Sequence, residues 1–538
     1  MNIKIREFIG FLLLAALPLF SVAQDEKRPP ANWQNLDLPS NGVFGISTEK
    51  AYSLLKGKKS VPVVVAVIDG GVDEEHEDIK NVIWINSKEV AGNKKDDDKN
   101  GYADDINGWN FIGSDIGNVH YDNLEVTRLV RKLRPKYASV VNSTPLDSAE
   151  RKEFNFYKRL VEDYINSYQN AKNGSEFYTN LKKYTDQIVE KIGKKEPSLA
   201  DFENYKTEDA NESKALKVIK SELKKDKTFK EFYDDLKEGV EYFNTQVNYG
   251  YNLDFNPRDT VGDNYANSLE RFYGNNDITG PDADHGTHVA GIIAASRSNN
   301  IGVKGVADNV KIMGVRAVPN GDERDKDVAN AIRYAADNGA KVINMSFGKS
   351  YSWDKAIVDS AVRYAMSKDV LLVHAAGNES KNIDKEPNYP NRYYQDSTGL
   401  TMGTAAAWIE VGASDFTNDE NLVASFSNYG AKSVDVFAPG VKINSTVPGS
   451  KYKENDGTSM ASPVVAGLAA LIRSYYPSLS AVEVKNIILQ SVTKVDHKVK
   501  IKEEGDSKKV NFDEVCISGG IVNAYNAIQL AEKQAKKK

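Results

Sequence analysis

Four loops of this sequence carry side chains that together could catalyse acyl transfer. These side chains are a carboxylate, an imidazole, an amide and a hydroxyl, from Asp69, His285, Asn378 and Ser459. A serine hydroxyl is a weak nucleophile and needs an adjacent base, for which imidazole is suited because its ordinary pKa is about 6.5. A buried carboxylate can orient the imidazole, and amide N–H groups can hold the oxyanion of a tetrahedral intermediate.

Each of these residues also fits a common structural role. A serine in the first turn of a helix usually caps free backbone N–H groups, and an aspartate can close a turn. An asparagine beside a glycine can occupy a left-handed turn. His288, one helical turn after His285, fits a structural position near a helix start. No single residue decides between structure and chemistry, and the joint occurrence of all four favours chemistry.

The four loops alternate with predicted strands and helices. Residues 61–68 form a β-branched run of the kind that is buried on both faces of a parallel sheet. Further on we predict strands at 311–318, 341–346, 370–375, 408–412 and 434–438, helices at 325–338 and 355–367, and a buried helix after Ser459. This alternation predicts an α/β fold with a mainly parallel sheet, whose ligands bind beyond the carboxyl ends of the strands.

Residues 120–250 interrupt the alternation. Charged residues become frequent there, and apolar residues recur at helical spacing over 154–168, 177–192 and 213–243. We predict a helical insertion in which the aromatic stripes are packing faces and the charged residues are solvated. The catalytic domain is then predicted at 61–119 and 251–530, and residues 531–538 are predicted to form a basic tail.

Four stretches match the pattern of the subtilisin-like serine proteases (subtilases, peptidase family S8), which the chain therefore resembles. They are VAVIDGGVD, DADHGTHVAGIIAA, AAGNES and DGTSMASPVVAGLAA. Their order along the chain is the family's order of acid, base and nucleophile. The resemblance covers about 40–120 and 255–530, and it implies a three-layer fold with a mainly parallel central sheet. The helical insertion matches nothing in the pattern.

The resemblance implies a role for each candidate catalytic residue. Asp69 would be the orienting acid, His285 the general base, Ser459 the nucleophile and Asn378 the oxyanion donor. The implied function is that of a serine-type endopeptidase that cleaves peptide bonds through an acyl-enzyme on Ser459. Such chemistry needs no cofactor.

The resemblance also implies where a substrate lies. Ser346, Phe347 and Gly348 would line the cleft and pair with the peptide backbone as an added strand. The chain departs from the family pattern at Gly70, where serine or threonine is usual. This departure removes no reacting group.

The sequence is also compatible with two other functions. The first is a non-catalytic pseudoprotease that binds peptides in a cleft covered by the insertion, although the chain keeps every reacting group. The second is an esterase or another acyl hydrolase. The absence of a G-x-S-x-G nucleophile elbow counts against this second function.

The ends and the composition of the chain predict an exported protein. Lys4 and Arg6 precede an apolar run over 8–20, and Ser-Val-Ala at 21–23 completes the pattern of a signal peptide at 1–23. This run is too short and too interrupted for a membrane anchor. Cys516 is the only cysteine, which excludes an internal disulfide. We expect a periplasmic or extracellular protein.

The same features limit the partners. The formal net charge of −6 gives no support for binding nucleic acid. We expect polypeptide substrates, no nucleic-acid partner, no membrane span after signal removal, and a monomer. Residues 24–60 predict an extended arm that is too short for a separate inhibitory domain, and we expect the arm to stay attached.

Residues 96–107, DDDKNGYADDIN, begin like a calcium-binding loop. The loop ends at Asn107, where a calcium loop has a bidentate glutamate, so a nearby aspartate would have to replace it. A solvated acidic turn is the alternative. The candidate ligands for a structural Ca²⁺ are Asp96, Asp98, Asn100, Asp104 and Asp105.

Overall fold

The computed structural model of the chain describes residues 28–141, 146–225, 227–396, 399–503 and 505–538. The predicted signal peptide at 1–23 lies outside these residues. Across the ranges that are described, no helix is both long enough and apolar enough to cross a membrane.

Seventeen strands form in the described residues. They are β1 Val63–Asp69, β2 Gly108–Asn110, β3 Gly113–Ser114, β4 Gly117–Asn118, β5 Val310–Arg316, β6 Val342–Met345, β7 Leu371–Ala375, β8 Tyr393–Gln395, β9 Thr401–Thr404, β10 Trp408–Ser414, β11 Val436–Pro439, β12 Ile443–Val447, β13 Lys451–Asn455, β14 Thr493–Lys494, β15 Val499–Glu503, β16 Asp506–Val510 and β17 Gly520–Ile521. Nine of them form one sheet in the order β14-β17-β11-β10-β7-β6-β1-β5-β2. Its neighbouring strands are parallel, except for the antiparallel pair β14 and β17.

Helices surround this sheet and build the insertion. They are α1 Leu38–Asn41, α2 Thr48–Leu55, α3 Glu125–Tyr137, α4 Ser148–Ile192, α5 Leu199–Asn204, α6 Ala210–Leu223, α7 Phe229–Thr245, α8 Arg258–Val261, α9 Asp284–Ala294, α10 Asp325–Asp337, α11 Lys355–Ser367, α12 Thr458–Tyr475, α13 Ala481–Gln490 and α14 Ala524–Ala535. Helix α11 has the predicted bounds, and α10 ends one residue earlier than predicted.

The side chains of the central strand β1 show that helices pack on both faces of the sheet. Successive side chains of a strand point to opposite faces of the sheet. Val63, Val65 and Val67 belong to the core that includes residues of α9 and α12. Ala66 and Ile68 belong to the core that includes residues of α10 and α11. The sheet therefore lies between two helical layers, and the predicted three-layer α/β fold is confirmed.

The N-terminal arm is not extended, and that prediction is wrong. Residues 28–60 fold into short helices that join the core, where Trp33 is 1% exposed and donates from Nε1 to the carbonyl of Val441 at 3.0 Å. The backbone carbonyl of Ile46 accepts from the N–H of Ala524 at 2.7 Å. Pro39, which suggested an extended chain, lies in the first turn of α1, where the missing N–H is tolerated.

The C-terminal tail also differs from the prediction. Helix α14 continues to Ala535, and Ala531 within it is fully buried. Lys538 forms an ion pair with Glu483, with Nζ 2.6 Å from Oε2. The segment 531–538 is therefore mostly helical and packed, because its few small residues face the core between the lysines.

The insertion is helical, as predicted. Its first two stripes lie on a single long helix, α4, which begins with a capping box at Asp147 and ends at Gly193 in a left-handed conformation. Leu181 and Ile188 of α4 pack in a core of their own with residues of α5, α6 and α7. Phe177 is 52% exposed, so the prediction that it belongs to a packing face is wrong.

A buried group of charges joins the insertion to the segment after β6. The side chain of Lys349 is 0% exposed, and its Nζ lies 2.7 Å from Oε2 of Glu125 and 2.8 Å from Oδ1 of Asp325. It also donates to the carbonyl of Glu323 at 2.7 Å. Glu125, at the start of α3, is also paired with Arg128. Burial alone would lower the pKa of Lys349, but the surrounding carboxylates raise it above its ordinary value.

Replacing Lys349 by methionine is expected to lower the free energy of unfolding by about 3–5 kcal/mol, because buried carboxylates lose their cation. Urea unfolding followed by circular dichroism measures this change. The control is Lys508→Met, because Lys508 is 56% exposed in its pair with Glu503. The control should leave the unfolding midpoint unchanged. Equal effects of the two substitutions would show that the buried cluster does not stabilise the fold.

Candidate active site

Asp69 and His285 form a carboxylate–imidazole pair. Asp69 is the last residue of β1 and is 3% exposed, and His285 lies in the first turn of α9. Nδ1 of His285 lies 2.8 Å from Oδ1 of Asp69 and 3.0 Å from Oδ2. The next residue, Gly286, permits this approach, since a Cβ there would lie 2.1 Å from the carbonyl oxygen of Gly71. Donation from Nδ1 to Asp69 leaves Nε2 as the proton acceptor.

The surroundings of His285 set its basicity. Burial alone would lower its pKa, but the charge of Asp69 and its hydrogen bond, helped by Asp284 and Asp282, raise it above the ordinary 6.5. Although protein atoms surround the ring closely, 44% of the side-chain surface stays accessible to solvent. The imidazole can therefore contact a substrate and exchange a proton near neutral pH.

His288 has the structural role that was predicted for it. Its side chain is buried, and Nε2 donates to the carbonyl of Lys453 at 2.9 Å. Burial lowers its pKa to about 4. This imidazole is neutral at physiological pH and joins α9 to β13.

Ser459 occupies the first turn of α12 without capping it. The cap residue is Gly457, and the Ser459 hydroxyl donates to the carbonyl of Ser346 at 3.1 Å. Ser459 is partly exposed between the buried Thr458 and Met460. Among the described residues the hydroxyl has no hydrogen bond to His285. Catalytic hydrogen bonds commonly tighten only when substrate is bound.

The sheet register brings Ser459 to the same corner as the acid–base pair. Strands β1 and β6 are parallel neighbours, with Ile68 opposite Met345. Asp69 and Ser346 follow directly, so they lie at the same level of adjacent strands. The Ser346 hydroxyl donates to the backbone carbonyl of Ser459 at 2.9 Å, which holds the start of α12 at this corner.

Asn378 and the Ser459 backbone N–H border one small space. Oδ1 of Asn378 accepts from both the N–H and the hydroxyl of Thr458, each at 2.9 Å, which fixes the direction of the amide. A Cβ at Gly457 would lie 3.6 Å from Nδ2 of Asn378 and 3.5 Å from the backbone N of Ser459. Both donors therefore border the space beside Gly457, where a ligand oxygen could meet them. Sequence reasoning missed the positioning role of Thr458.

The predicted substrate segment follows β6 directly. Ser346 is 3% exposed, and Phe347 packs edge to face on His374 with ring centroids 6.2 Å apart. Asn388, which sequence reasoning missed, lies close to this segment, because its Nδ2 would be 2.5 Å from a Cβ at Gly348. Asn388 stands in a loop without a motif, so no signal in the sequence could have indicated it.

The sequence profile of the Subtilase family matches residues 61–509. The chain belongs to the subtilase family. Thermophilic serine proteinase from Bacillus sp. (strain AK1) is 43% identical to the chain over 247 residues, which are 46% of this chain and 52% of that protein. Thermitase from Thermoactinomyces vulgaris is 38% identical over 246 residues, or 46% of this chain and 75% of that protein.

The match to the first of these relatives spans about half of that protein's length. A solved structure of a protease from Pseudoalteromonas arctica PAMC 21717 is 28% identical to this subtilase. Its TM-score is 0.38, and the match covers 48% of this chain and 78% of that one. The family resemblance that the four motifs indicated is confirmed by the profile.

An acidic loop of the subtilase gathers three carboxylates. Glu89, Asp96 and Asp98 each offer an oxygen atom, and these atoms all lie within 4.8 Å of one another. Carboxylate oxygens are the ligands that Ca²⁺ prefers, so this donor set fits the predicted ion. Sequence reasoning missed Glu89, because it lies before residues 96–107 and the spacing of a calcium-binding loop does not include it.

The other predicted ligands lie near these three carboxylates, and the backbone N–H of Asn100 donates to Asp96 and to Asp98, each at 3.0 Å. Asp104 accepts the backbone N–H of Lys94 at 2.6 Å. Asp105 accepts the Tyr334 hydroxyl at 2.7 Å and Nδ2 of Asn100 at 3.0 Å, and burial raises its pKa to about 6. Asp104 and Asp105 are not among the three clustered carboxylates. That one of them replaces the missing glutamate stays a prediction, and Glu89 is a further candidate for that place.

Proposed function

We propose that this subtilase is an exported serine endopeptidase that hydrolyses peptide bonds through an acyl-enzyme on Ser459. One observation carries the proposal. The Asp69–His285 pair, with 2.8 Å between carboxylate and imidazole, lies at the corner of the sheet where the first turn of α12 carries Ser459. The name of one relative, thermophilic serine proteinase, agrees with this chemistry.

The first half of the reaction forms the acyl-enzyme. The Ser459 oxygen attacks the peptide carbonyl carbon, and its proton passes to Nε2 of His285. Asp69 keeps its hydrogen bond to Nδ1 and stabilises the imidazolium. The C–N bond then breaks as the same proton passes to the leaving amine. In the second half, water repeats these steps on the ester and releases the acid.

Two N–H donors stabilise the charge that develops on the carbonyl oxygen. Nδ2 of Asn378 is directed by Thr458, and the Ser459 backbone N–H is one of the first in α12, which have no acceptor inside the helix. Donors fixed in this way need no reorganisation when the oxyanion forms. The start of a helix also favours negative charge at that point.

The substrates we propose are polypeptides that bind as a strand along Ser346, Phe347 and Gly348. The competing function is a pseudoprotease that binds peptides without cleaving them. The accessible imidazole and the two open N–H donors favour the endopeptidase, because a binding module needs neither.

A fluorophosphonate probe is expected to label the wild-type protein, and peptide mapping should place the adduct on Ser459. The label should block casein hydrolysis in proportion to its extent, because one hydroxyl carries the chemistry. The same mass spectra report the N-terminus of the exported protein, which should be Gln24 if the signal peptide is removed as proposed. Casein hydrolysis that survives complete labelling would contradict the role of Ser459. Absence of both labelling and hydrolysis would favour the pseudoprotease.

We further propose that Glu89, Asp96 and Asp98 hold a structural Ca²⁺. Titration calorimetry of the wild-type protein should show heat on addition of CaCl₂, and the melting temperature should rise with calcium concentration. Asp96→Asn should remove both effects. Asp97→Asn should retain them, because Asp97 is the neighbouring aspartate outside the cluster. Absence of heat and of any change in melting temperature would contradict the proposal.

A further inference from the structure

The helical insertion holds the part of the chain that comes directly after the proposed substrate segment, residues 346–348. This following segment, residues 349–354, leads from β6 towards α11 and begins with Lys349. The backbone of Lys349 pairs with Tyr389 through two hydrogen bonds of 2.9 Å. Consecutive Cα atoms are about 3.8 Å apart, so the position of Lys349 limits where Gly348 can lie.

The insertion contacts the following segment with both α3 and α4. Nζ of Lys349 lies 2.7 Å from Oε2 of Glu125, which is in the first turn of α3. The Tyr351 hydroxyl donates to Oδ2 of Asp163 on α4. Tyr351 and Trp353 also pack against the apolar core that α3 and α4 form together. The following segment is therefore held by the insertion at several points along its length.

Glu125 also fixes this segment relative to the acid–base pair. Its backbone N–H donates to Oδ2 of Asp322 at 2.7 Å. Asp322 lies in the loop after β5, and the first residue of that loop, Ala317, donates its N–H to the carbonyl of Asp69 at 3.0 Å. One residue of the insertion thus holds the loop beside Asp69 with its N–H, and Lys349 with its carboxylate.

The contact between Glu125 and Lys349 is buried and fully charged. Both side chains are 0% exposed. Arg128 binds the same carboxylate with two N–H groups, at 2.7 and 3.3 Å. Burial alone would raise the pKa of Glu125, but Arg128 and Lys349 lower it to about 2. Charge-assisted hydrogen bonds of this kind are strong and directional, so they fix the lysine in one position.

We propose that Glu125 is a positioning residue for the substrate segment, through which the insertion controls how well a peptide binds as an added strand. The inference rests on the proposed endopeptidase function. Glu125 acts through Lys349 on residues 346–348 and takes no part in bond cleavage itself. A segment that is already held in its extended form binds a peptide without an ordering cost. Loss of the Glu125 charge should therefore weaken binding of the acyl half and leave the chemical steps unchanged.

The test compares two substrates of different acyl length. A p-nitroanilide with a four-residue acyl half can pair along the substrate segment, whereas the p-nitrophenyl ester of one N-acetylated residue is too short to do so. Glu125→Gln keeps the shape of the side chain and removes its charge. KM for the anilide should rise about fivefold with kcat within about twofold, which is the pattern of lost binding. The kcat/KM of the ester should stay within about twofold of the wild-type value.

Glu212→Gln is the matched control within the insertion. Glu212 is also a buried glutamate in the first turn of a helix, α6. Its side-chain partners Lys191, Tyr205 and Thr207 all belong to the insertion. This variant should lower the melting temperature without changing KM for the anilide. It separates the stability of the insertion from the positioning of the substrate segment.

A second pair of variants keeps the test decisive if Glu125→Gln does not fold. Tyr351→Phe removes only the hydroxyl that donates to Asp163, and it should raise KM for the anilide about twofold. Tyr364→Phe removes a similar bond to Asp337, which joins α11 to α10 instead of to the insertion. Both tyrosines are half-buried, and the Tyr364 variant should leave KM unchanged.

Each outcome supports or overturns the proposal. An unchanged KM in folded Glu125→Gln would overturn it, as would an unchanged KM in Tyr351→Phe where Glu125→Gln does not fold. Equal losses with the anilide and the ester would overturn it too, because they indicate a general loss of folded enzyme. An equal rise of KM in Glu212→Gln would assign the effect to stability alone and overturn it. If the wild-type protein hydrolyses neither substrate, the proposed function fails, and this inference with it.

Discussion

Ser459→Ala is expected to lower kcat for peptide hydrolysis by about a millionfold, while the protein stays folded. The hydroxyl is the only proposed atom that can form the acyl bond, and its removal leaves water as the nucleophile. The side chain is partly exposed, and within the described part of the chain its one hydrogen bond is to the Ser346 carbonyl. Its loss should therefore leave the melting temperature almost unchanged.

The control for this variant is Ser462→Ala on the same helix. Ser462 is buried and donates to Asn344 at 2.9 Å, so its loss should affect stability more than kcat. His285→Ala should reduce kcat about as much as Ser459→Ala. The double variant should be no worse than either single variant, because the two residues act as a unit. Additive losses would show that Ser459 and His285 act independently.

Asp69→Asn is expected to lower kcat about ten-thousandfold. An asparagine side chain can donate to Nδ1 of His285 and so favour the tautomer that carries the proton on Nε2. That tautomer cannot accept the proton of Ser459. The uncharged amide also fails to stabilise the imidazolium. Kinetics with saturating peptide measure the change, and retention of more than a hundredth of wild-type kcat would contradict the role of Asp69.

The pH profile gives this prediction a second readout. The base must be neutral to act, so kcat/KM rises with pH through the pKa of His285, which Asp69 raises above 6.5. The midpoint of the acidic limb is therefore expected above pH 6.5 in the wild-type enzyme. It should move to lower pH in Asp69→Asn. Asp282→Asn, which removes a weaker contribution, should shift it slightly in the same direction with little loss of kcat.

The part of the site that the sequence could predict consists of residues next to strand ends and helix starts. Asp69, Asn378 and Ser459 each adjoin a strongly apolar run. The run predicts a strand or a helix, so the sequence indicates both the chemical type of each residue and its place at the end of that element. The roles of Thr458 and Asn388 could not be predicted, because they arise from contacts between loops that are distant in sequence. Glu89 was missed for a different reason: it is close to Asp96 in sequence but precedes the loop pattern, and the fold of the acidic loop brings the two carboxylates together.

The errors in the fold have a related origin. Residues 28–60 carry prolines and polar residues that suggest an extended chain, and the few apolar ones that enter the core, such as Trp33, are too sparse to form a pattern. Phe177 continues the helical spacing of α4 but is 52% exposed, because at this level α4 meets α7 through the neighbouring Tyr178, which stacks on Phe243. Periodicity shows which residues share a face and cannot show which face meets a partner.

The backbone hydrogen bond between Ile46 and Ala524 also has a consequence for biosynthesis. A ribosome makes the arm long before α14, so the Ile46 carbonyl has no partner until Ala524 has been added. The catalytic domain cannot reach its final packing until residue 524 has emerged. A nascent chain of this kind stays incompletely folded while it is being made, which is the condition that translocation as an unfolded polypeptide requires.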